Sequence, residues 1–161
     1  MFRRYFLISS LLAVAACSGP QGAFSLAPNS TLIVVRHADR DGDDLSAKGK
    51  IRSRDLVHAL NGMPLDAIIS PGIKRNMDTA APLATARNLP VQNLPSEMPT
   101  SGLIAASAGR SVIWIGNKGN LKAIWKDLRL SNPPPLEYGD LHIIRSDAGG
   151  AVSIERRHFG G

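Results

Sequence analysis

The sequence predicts an α/β fold: a three-layer α/β/α sandwich around a mostly parallel central sheet. Two short apolar runs, Thr31-Leu32-Ile33-Val34-Val35 and Ser111-Val112-Ile113-Trp114-Ile115, show no polar alternation, the pattern of strands buried on both faces. Stretches with helix caps and helical spacing separate them, and strands alternating with helices pack as layers. With 161 residues, 43% of them hydrophobic, the chain is long enough for one compact core and short for two.

The N-terminal residues stand apart from that core. Arg3 and Arg4 precede an apolar run from Tyr5 to Ala16 that is short for a bilayer span, the build of an export signal. It ends in Val14-Ala15-Ala16-Cys17, which resembles the lipobox of bacterial lipoproteins. That resemblance implies cleavage after residue 16, lipidation of Cys17 and attachment to the cell envelope. Because Ser18 rather than aspartate follows, the membrane implied in a Gram-negative host is the outer one. An ordinary signal with an incidental cysteine is the alternative. Cys17 is the only cysteine, so neither an intramolecular disulfide nor a cysteine-type zinc site is available. Residues 17–30, rich in Ser, Gly, Pro and Ala, read as a flexible tether, and residues 31–161 as the domain.

The formal charge of +6 falls to +4 once Arg3 and Arg4 are set aside. This excess suits anionic substrates or lipid head groups. Without a dense basic run or interleaved aromatics, it argues against nucleic acid as a partner.

Within the domain, the first strand ends at Arg36-His37. Ser46 is placed to cap a helix running to Leu60, with Ile51, Leu56 and Leu60 on its apolar side and Lys48, Lys50, Arg52 and Arg54 elsewhere; Asn61-Gly62 ends it. Asp66 to Ser70 reads as a second strand, and Pro71-Gly72 opens a helix from Ile73 to Arg87 with an alanine-rich face. After the third strand come a tight turn from Gly116 to Gly119 and a helix from Asn120 to Leu130, broken by Pro133-Pro134-Pro135. Two last strands, Asp140 to Arg145 and Val152 to Arg156, flank the hairpin signal Asp147-Ala148-Gly149-Gly150.

In parallel sheets, ligands gather at the carboxyl ends of strands, where helix N-termini offer free N–H groups. Three segments share that address: Arg36-His37, Ser70 to Arg75, and Gly116-Asn117-Lys118-Gly119. Arg36 and Arg75 offer guanidinium forks for a phosphate, and His37 can donate to it or attack it.

These residues carry a resemblance to a family. Arg36-His37-Ala38-Asp39 resembles the Arg-His-Gly signature of the histidine phosphatase (phosphoglycerate-mutase-like) superfamily, with Ala38 for the usual Gly. Leu45-Ser46-Ala47-Lys48-Gly49 and Ile69-Ser70-Pro71-Gly72-Ile73-Lys74-Arg75, continuing to Thr79-Ala80, resemble the elements that follow it. The likeness covers Thr31 to Ala84 and implies the short, phosphoglycerate-mutase-like form of the fold. It also implies a phosphohistidine intermediate on His37 with Arg36 and Arg75 around the phosphoryl group, and no metal or cofactor. The ligand implied is a phosphorylated small molecule or phosphoprotein.

The family's second pocket histidine follows a glycine after the third strand; here Asn117 follows Gly116. Asparagine donates a hydrogen bond but carries no charge and exchanges no proton near neutral pH, so binding without efficient turnover is the competing expectation. Lys118 is a candidate to restore the charge, and His142 is the histidine to check for the empty role, ahead of His58 and His158. For the general acid, Glu97 lies in the interval where the family places one. Asp39 is the other candidate, unless it pairs with Arg40.

Overall fold

The computed structural model describes residues 24–161. The expected signal peptide, Cys17 and the first half of the tether lie outside them. Among the described residues, no helix is long and apolar enough to cross a membrane.

Strands β1 (Ser30–Arg36), β4 (Ala67–Ser70), β5 (Val91–Asn93), β6 (Ser111–Gly116), β7 (Asp140–Ser146) and β8 (Val152–His158) form one sheet in the order β5-β4-β6-β1-β7-β8. The first four run parallel; β7 and β8 close the edge antiparallel. A small hairpin, β2 (Arg40–Asp41) with β3 (Asp44–Leu45), stands outside the sheet.

Helices α1 (Ala47–Ala59) and α2 (Lys74–Arg87) bury Leu56, Leu60, Ala80 and Leu83 against Ile33, Val35, Ile113 and Ile115 on one face. On the other, α3 (Pro99–Ser107) and α4 (Lys118–Asp127) bury Leu103, Leu121, Ile124 and Trp125 against Leu32, Val34 and Trp114. This is the expected three-layer sandwich, and the unbroken apolar runs are its central strands because both faces are covered.

Several expectations are corrected. On α1, Ile51 is exposed and Arg52 is buried: Arg52 Nε donates to Asp39 at 2.6 Å, and its Nη1 donates to the carbonyls of Phe159 and Gly160 at 2.7 and 2.8 Å. A buried cation paired with a carboxylate and bonded to backbone carbonyls is tolerated where an unpaired one is not. The packed domain begins before Thr31, since Leu26 lies in the core and Ser30 Oγ accepts from the Gly109 amide at 3.0 Å. The predicted turn after β6 is already helix from Lys118. Strand β5, helix α3 and the β2–β3 hairpin had no sequence counterpart.

The topology fixes where the loops meet. β4, β6 and β1 are adjacent at the centre of the sheet, so the three segments singled out from sequence emerge side by side at one edge.

Candidate active site

The loop after β1 is held by backbone bonds that the surrounding motifs supply. His37 N–H donates to the Gly116 carbonyl at 2.8 Å, and the Ala38 amide donates to Thr79 Oγ1 at 2.9 Å. Thr79 Oγ1 in turn donates to the Arg75 carbonyl at 2.7 Å. Beyond it, the Ser46 amide donates to the Asp39 carbonyl at 3.0 Å, and Ser46 Oγ caps α1 by accepting from the Gly49 amide at 3.1 Å. Gly49 is required by close approach, because a Cβ there would lie 1.9 Å from the Asp39 carbonyl oxygen. The Leu-Ser-x-x-Gly element thus caps a helix and presses it on the loop that follows β1.

On the second loop, Ser70 Oγ and Asn76 Nδ2 both donate to the Ile115 carbonyl, at 3.1 and 3.0 Å, tying the ends of β4 and α2 to β6. These bonds set the start of α2, the helix that carries Arg75.

His37 is buried, and its Nδ1 lies 2.8 Å from the Ala38 carbonyl. A carbonyl only accepts, so Nδ1 carries the hydrogen and Nε2 of the neutral ring keeps its lone pair. Burial, reinforced by the charges of Arg36, Arg75 and Arg40 and opposed by the Ala38 hydrogen bond, lowers the His37 pKa to about 4. At neutral pH the ring is therefore unprotonated.

Arg36 stacks on Tyr138, with its guanidinium carbon 3.8 Å from the ring centre, and its Nη1 donates to the Leu136 carbonyl at 3.1 Å. Its Nε is buried without a partner among the described residues, as is that of Arg75. An orphaned buried guanidinium N–H is costly unless an anion satisfies it. Arg75 Nη1 also lies 3.6 Å from Asp43 Oδ1 of the exposed hairpin turn.

Asn117 directly follows β6, with a defined local task. It is the N-cap of α4, where its Oδ1 accepts from the Gly119 and Asn120 amides at 3.1 and 3.3 Å. The oxygen is therefore committed to the helix and Nδ2 is the group left to meet a ligand. Asn120 Oδ1 answers by accepting from the Asn117 amide at 2.9 Å and from Trp114 Nε1 at 3.1 Å. Lys118 is half-exposed in the first helical turn, 3.7 Å from Glu137 Oε1.

Five candidates are not brought to the site. Glu97 is exposed and shares a cleft with Phe24, Lys126 and Asp127, at the end of α4 opposite Asn117. Asp39 pairs with Arg52, not Arg40, so its carboxylate is occupied. His142 is buried opposite Val34 on the α3–α4 face, its ring 5.5 Å from that of Trp125. His58 is exposed on α1, and the exposed His158 lies 3.1 Å from Asp140. Tyr138 and Arg40 were missed. Neither stands in a recognisable motif, and the long return from α4 to β7 that carries Tyr138 gives no hint that it folds over Arg36.

Comparison with known proteins agrees with this geometry. Residues 29–96 match the model of the histidine phosphatase superfamily (branch 1). No curated protein matches the chain. Among solved structures, the protein histidine phosphatase SixA complexed with tungstate superposes with a TM-score of 0.64 at 20% identity, covering 80% of this chain and 96% of that one. YhfR of Bacillus stearothermophilus gives a TM-score of 0.61 at 17% identity over 77% and 94% of the two chains. A mycobacterial glucosyl-3-phosphoglycerate phosphatase complexed with inorganic phosphate gives 0.56 at 14% identity over 82% and 97%. The chain has the fold these phosphatases share.

Proposed function

We propose that this chain is a histidine-type phosphatase, hydrolysing a phosphate ester or a phosphohistidine through a covalent intermediate on His37. The observation that carries the reading is the 2.8 Å contact of His37 Nδ1 with the Ala38 carbonyl: it assigns the hydrogen to Nδ1 and leaves the Nε2 lone pair on a ring that feels the charges of Arg36 and Arg75.

In the reaction, His37 Nε2 attacks phosphorus in line, the P–N bond forms and the bond to the leaving atom breaks. The leaving atom takes a proton. Water then attacks the phosphohistidine, releasing inorganic phosphate and returning the neutral ring. Arg36 and Arg75 hold the equatorial oxygens, and their unpartnered N–H groups are satisfied as charge builds on them. A purified domain that hydrolyses no member of a broad phosphoester and phosphohistidine panel, and from which no phosphoenzyme can be trapped, overturns the hydrolase reading.

One observation favours a second reading, a pocket that binds phosphate or a phosphorylated ligand with little turnover. Asn117 spends its oxygen capping α4 and brings neither charge nor an exchangeable proton, and the acid candidates Glu97 and Asp39 are placed elsewhere or paired. Asn117→His separates the two readings. If the pocket is crippled, turnover rises by about 10²-fold, the usual worth of one positioned proton-transfer or charge-stabilising group. If catalysis already runs without that histidine, the rate falls or stays level, because the replacement weakens the α4 cap by about 1 kcal/mol.

We also propose that the protein is exported and held to a membrane by lipid on Cys17, supported by the lipobox-like Val14-Ala15-Ala16-Cys17. Fractionation is expected to find the full-length protein with membranes and Cys17→Ser in the soluble fraction. Membrane association that survives the substitution rules out this anchor.

A further inference from the structure

Arg52 joins two parts of the site that lie far apart along the chain. Its Nε donates at 2.6 Å to Oδ2 of Asp39, two residues beyond His37. The two hydrogens of its Nη1 go to the carbonyls of Phe159 and Gly160 at 2.7 and 2.8 Å. The Phe159 amide in turn donates to the Gly139 carbonyl at 2.9 Å. Gly139 follows Tyr138, whose ring centre lies 5.8 Å from that of His37 and 3.8 Å from the Arg36 guanidinium carbon. The Leu136 carbonyl that Arg36 Nη1 meets belongs to the same return. The path from His37 through Asp39, Arg52, Phe159 and Gly139 back to Tyr138 is therefore a closed ring. The backbone is shaped to the guanidinium that completes it. Gly139 and Gly160 lie in the left-handed region at φ +92° and +69°, and a Cβ on them would fall 2.5 and 3.0 Å from Arg52 Nη1.

We propose that Arg52 is a positioning residue of the phosphate site: it sets the Tyr138 ring, and with it the Arg36 guanidinium, against His37. The inference rests on Arg36 and His37 forming that site, as argued above. A buried ion pair contributes little net stability, because the desolvation of both charges offsets their attraction. What the arginine supplies is direction. Its planar fork holds donors at fixed angles, so one side chain reaches a carboxylate with Nε and two carbonyls with Nη1, whereas a lysine ammonium is a single point that serves one of these groups well. The return that carries Tyr138 has its own brace, since Asp140 Oδ2 accepts from the Glu137 amide at 3.2 Å. That brace acts within the return, and the Arg52 ring refers the return to the His37 loop.

Arg52→Lys keeps the charge and removes the fork, so a weakened site cannot be put down to lost charge. Two readouts on the full chain are independent of turnover: the calorimetric affinity for inorganic phosphate, and the nuclear Overhauser contact between the Tyr138 and His37 rings, which the wild type is expected to show. Tyr5, the other tyrosine, is replaced by phenylalanine throughout so that Tyr138 is observed alone. The indole signals of Trp114 and Trp125, both buried on the α3–α4 face, report an intact fold. With those signals in place, Arg52→Lys is expected to lose the ring contact and to bind phosphate about tenfold more weakly, the worth of one hydrogen bond to a charged group. Asp39→Asn leaves an acceptor without its charge at the other end of the same bond. It should weaken the contact and lower phosphate affinity about threefold, and it decides the matter if Arg52→Lys does not fold. The deciding variant overturns the positioning role if it keeps either the ring contact or the phosphate affinity of the wild type, and so does absence of the contact from the wild type. Loss of the tryptophan signals in both variants overturns it as well, because Arg52 would then hold up the fold as a whole. A wild type that keeps the ring contact yet binds no inorganic phosphate overturns the phosphate site itself, and Arg52's role at it.

Discussion

His37→Ala is expected to lower turnover by about 10⁴-fold or more while leaving tungstate or phosphate affinity within about tenfold of the wild type. The asymmetry follows from the division of labour at the mouth. In the proposed mechanism the nucleophile is a single atom, His37 Nε2. In the proposed reading the anion is held by Arg36 and Arg75, whose buried Nε groups have no partner among the described residues. Arg75→Ala should show the reverse emphasis, with anion binding falling first. Rapid acid quench after mixing with labelled substrate reads the phosphoenzyme directly; label that persists in His37→Ala would place the nucleophile elsewhere.

The same residue sets a pH dependence. In the free protein, His37 stays neutral down to about pH 4, chiefly through burial and then through the arginines near it. The acid limb of kcat/KM attributable to this group should therefore lie near pH 4 rather than near the 6.5 of an ordinary histidine. Stability changes in the matching sense. At pH 7 the ring is neutral in both folded and unfolded chains and contributes no pH dependence. Between about pH 6.5 and 4 the unfolded chain takes up the proton and the folded one does not, so stability falls as pH falls through that window. A titration of the His37 ring by NMR with a midpoint above 6 would contradict this.

How much of this was legible in the sequence depended on how local the cause is. Buried parallel strands are visible because burial on both faces removes polar alternation, and the three strand-end loops were correctly grouped because β4, β6 and β1 are neighbours. Strand β5 was missed because Val91-Gln92-Asn93 is an edge of three residues, of which Gln92 and Asn93 are exposed. Helix α3 offers neither a side-chain cap nor a marked apolar stripe, and is stabilised by contacts that only the tertiary fold provides. Arg52 was assigned to solvent because it is charged, but its partners are Asp39 and the backbone of residues 159 and 160, too far along the chain for any local pattern to announce. Asn117 was legible as a departure from the family and illegible as a cap. The sequence places an asparagine where the resemblance implies a histidine; only the helix start at Lys118 shows the cap that the asparagine makes.

Gly49→Ala is expected to destabilise the fold by about 3 kcal/mol, although the position is inside a helix where alanine ordinarily gains about 1 kcal/mol over glycine. The added Cβ would fall 1.9 Å from the Asp39 carbonyl oxygen and 2.9 Å from its carbonyl carbon. Neither atom belongs to a flexible side chain that could swing aside. That same carbonyl accepts from the Ser46 amide and Ser46 Oγ, and the Asp39 carboxylate is clamped by Arg52, so relief requires moving α1 or the 37–40 loop as a unit. Moving the loop carries His37 away from Arg75, so anion affinity should fall together with the melting temperature, by about 10 °C for a domain of this size. Gly119→Ala is the matched control. Its Cβ would meet only Asn117 Oδ1 at 3.3 Å, in the first turn of a helix, and its melting temperature should stay within a few degrees of the wild type. A Gly49→Ala protein as stable as that control would show that α1 does not press on the nucleophile loop. The Leu-Ser-x-x-Gly element would then be a helix cap and nothing more.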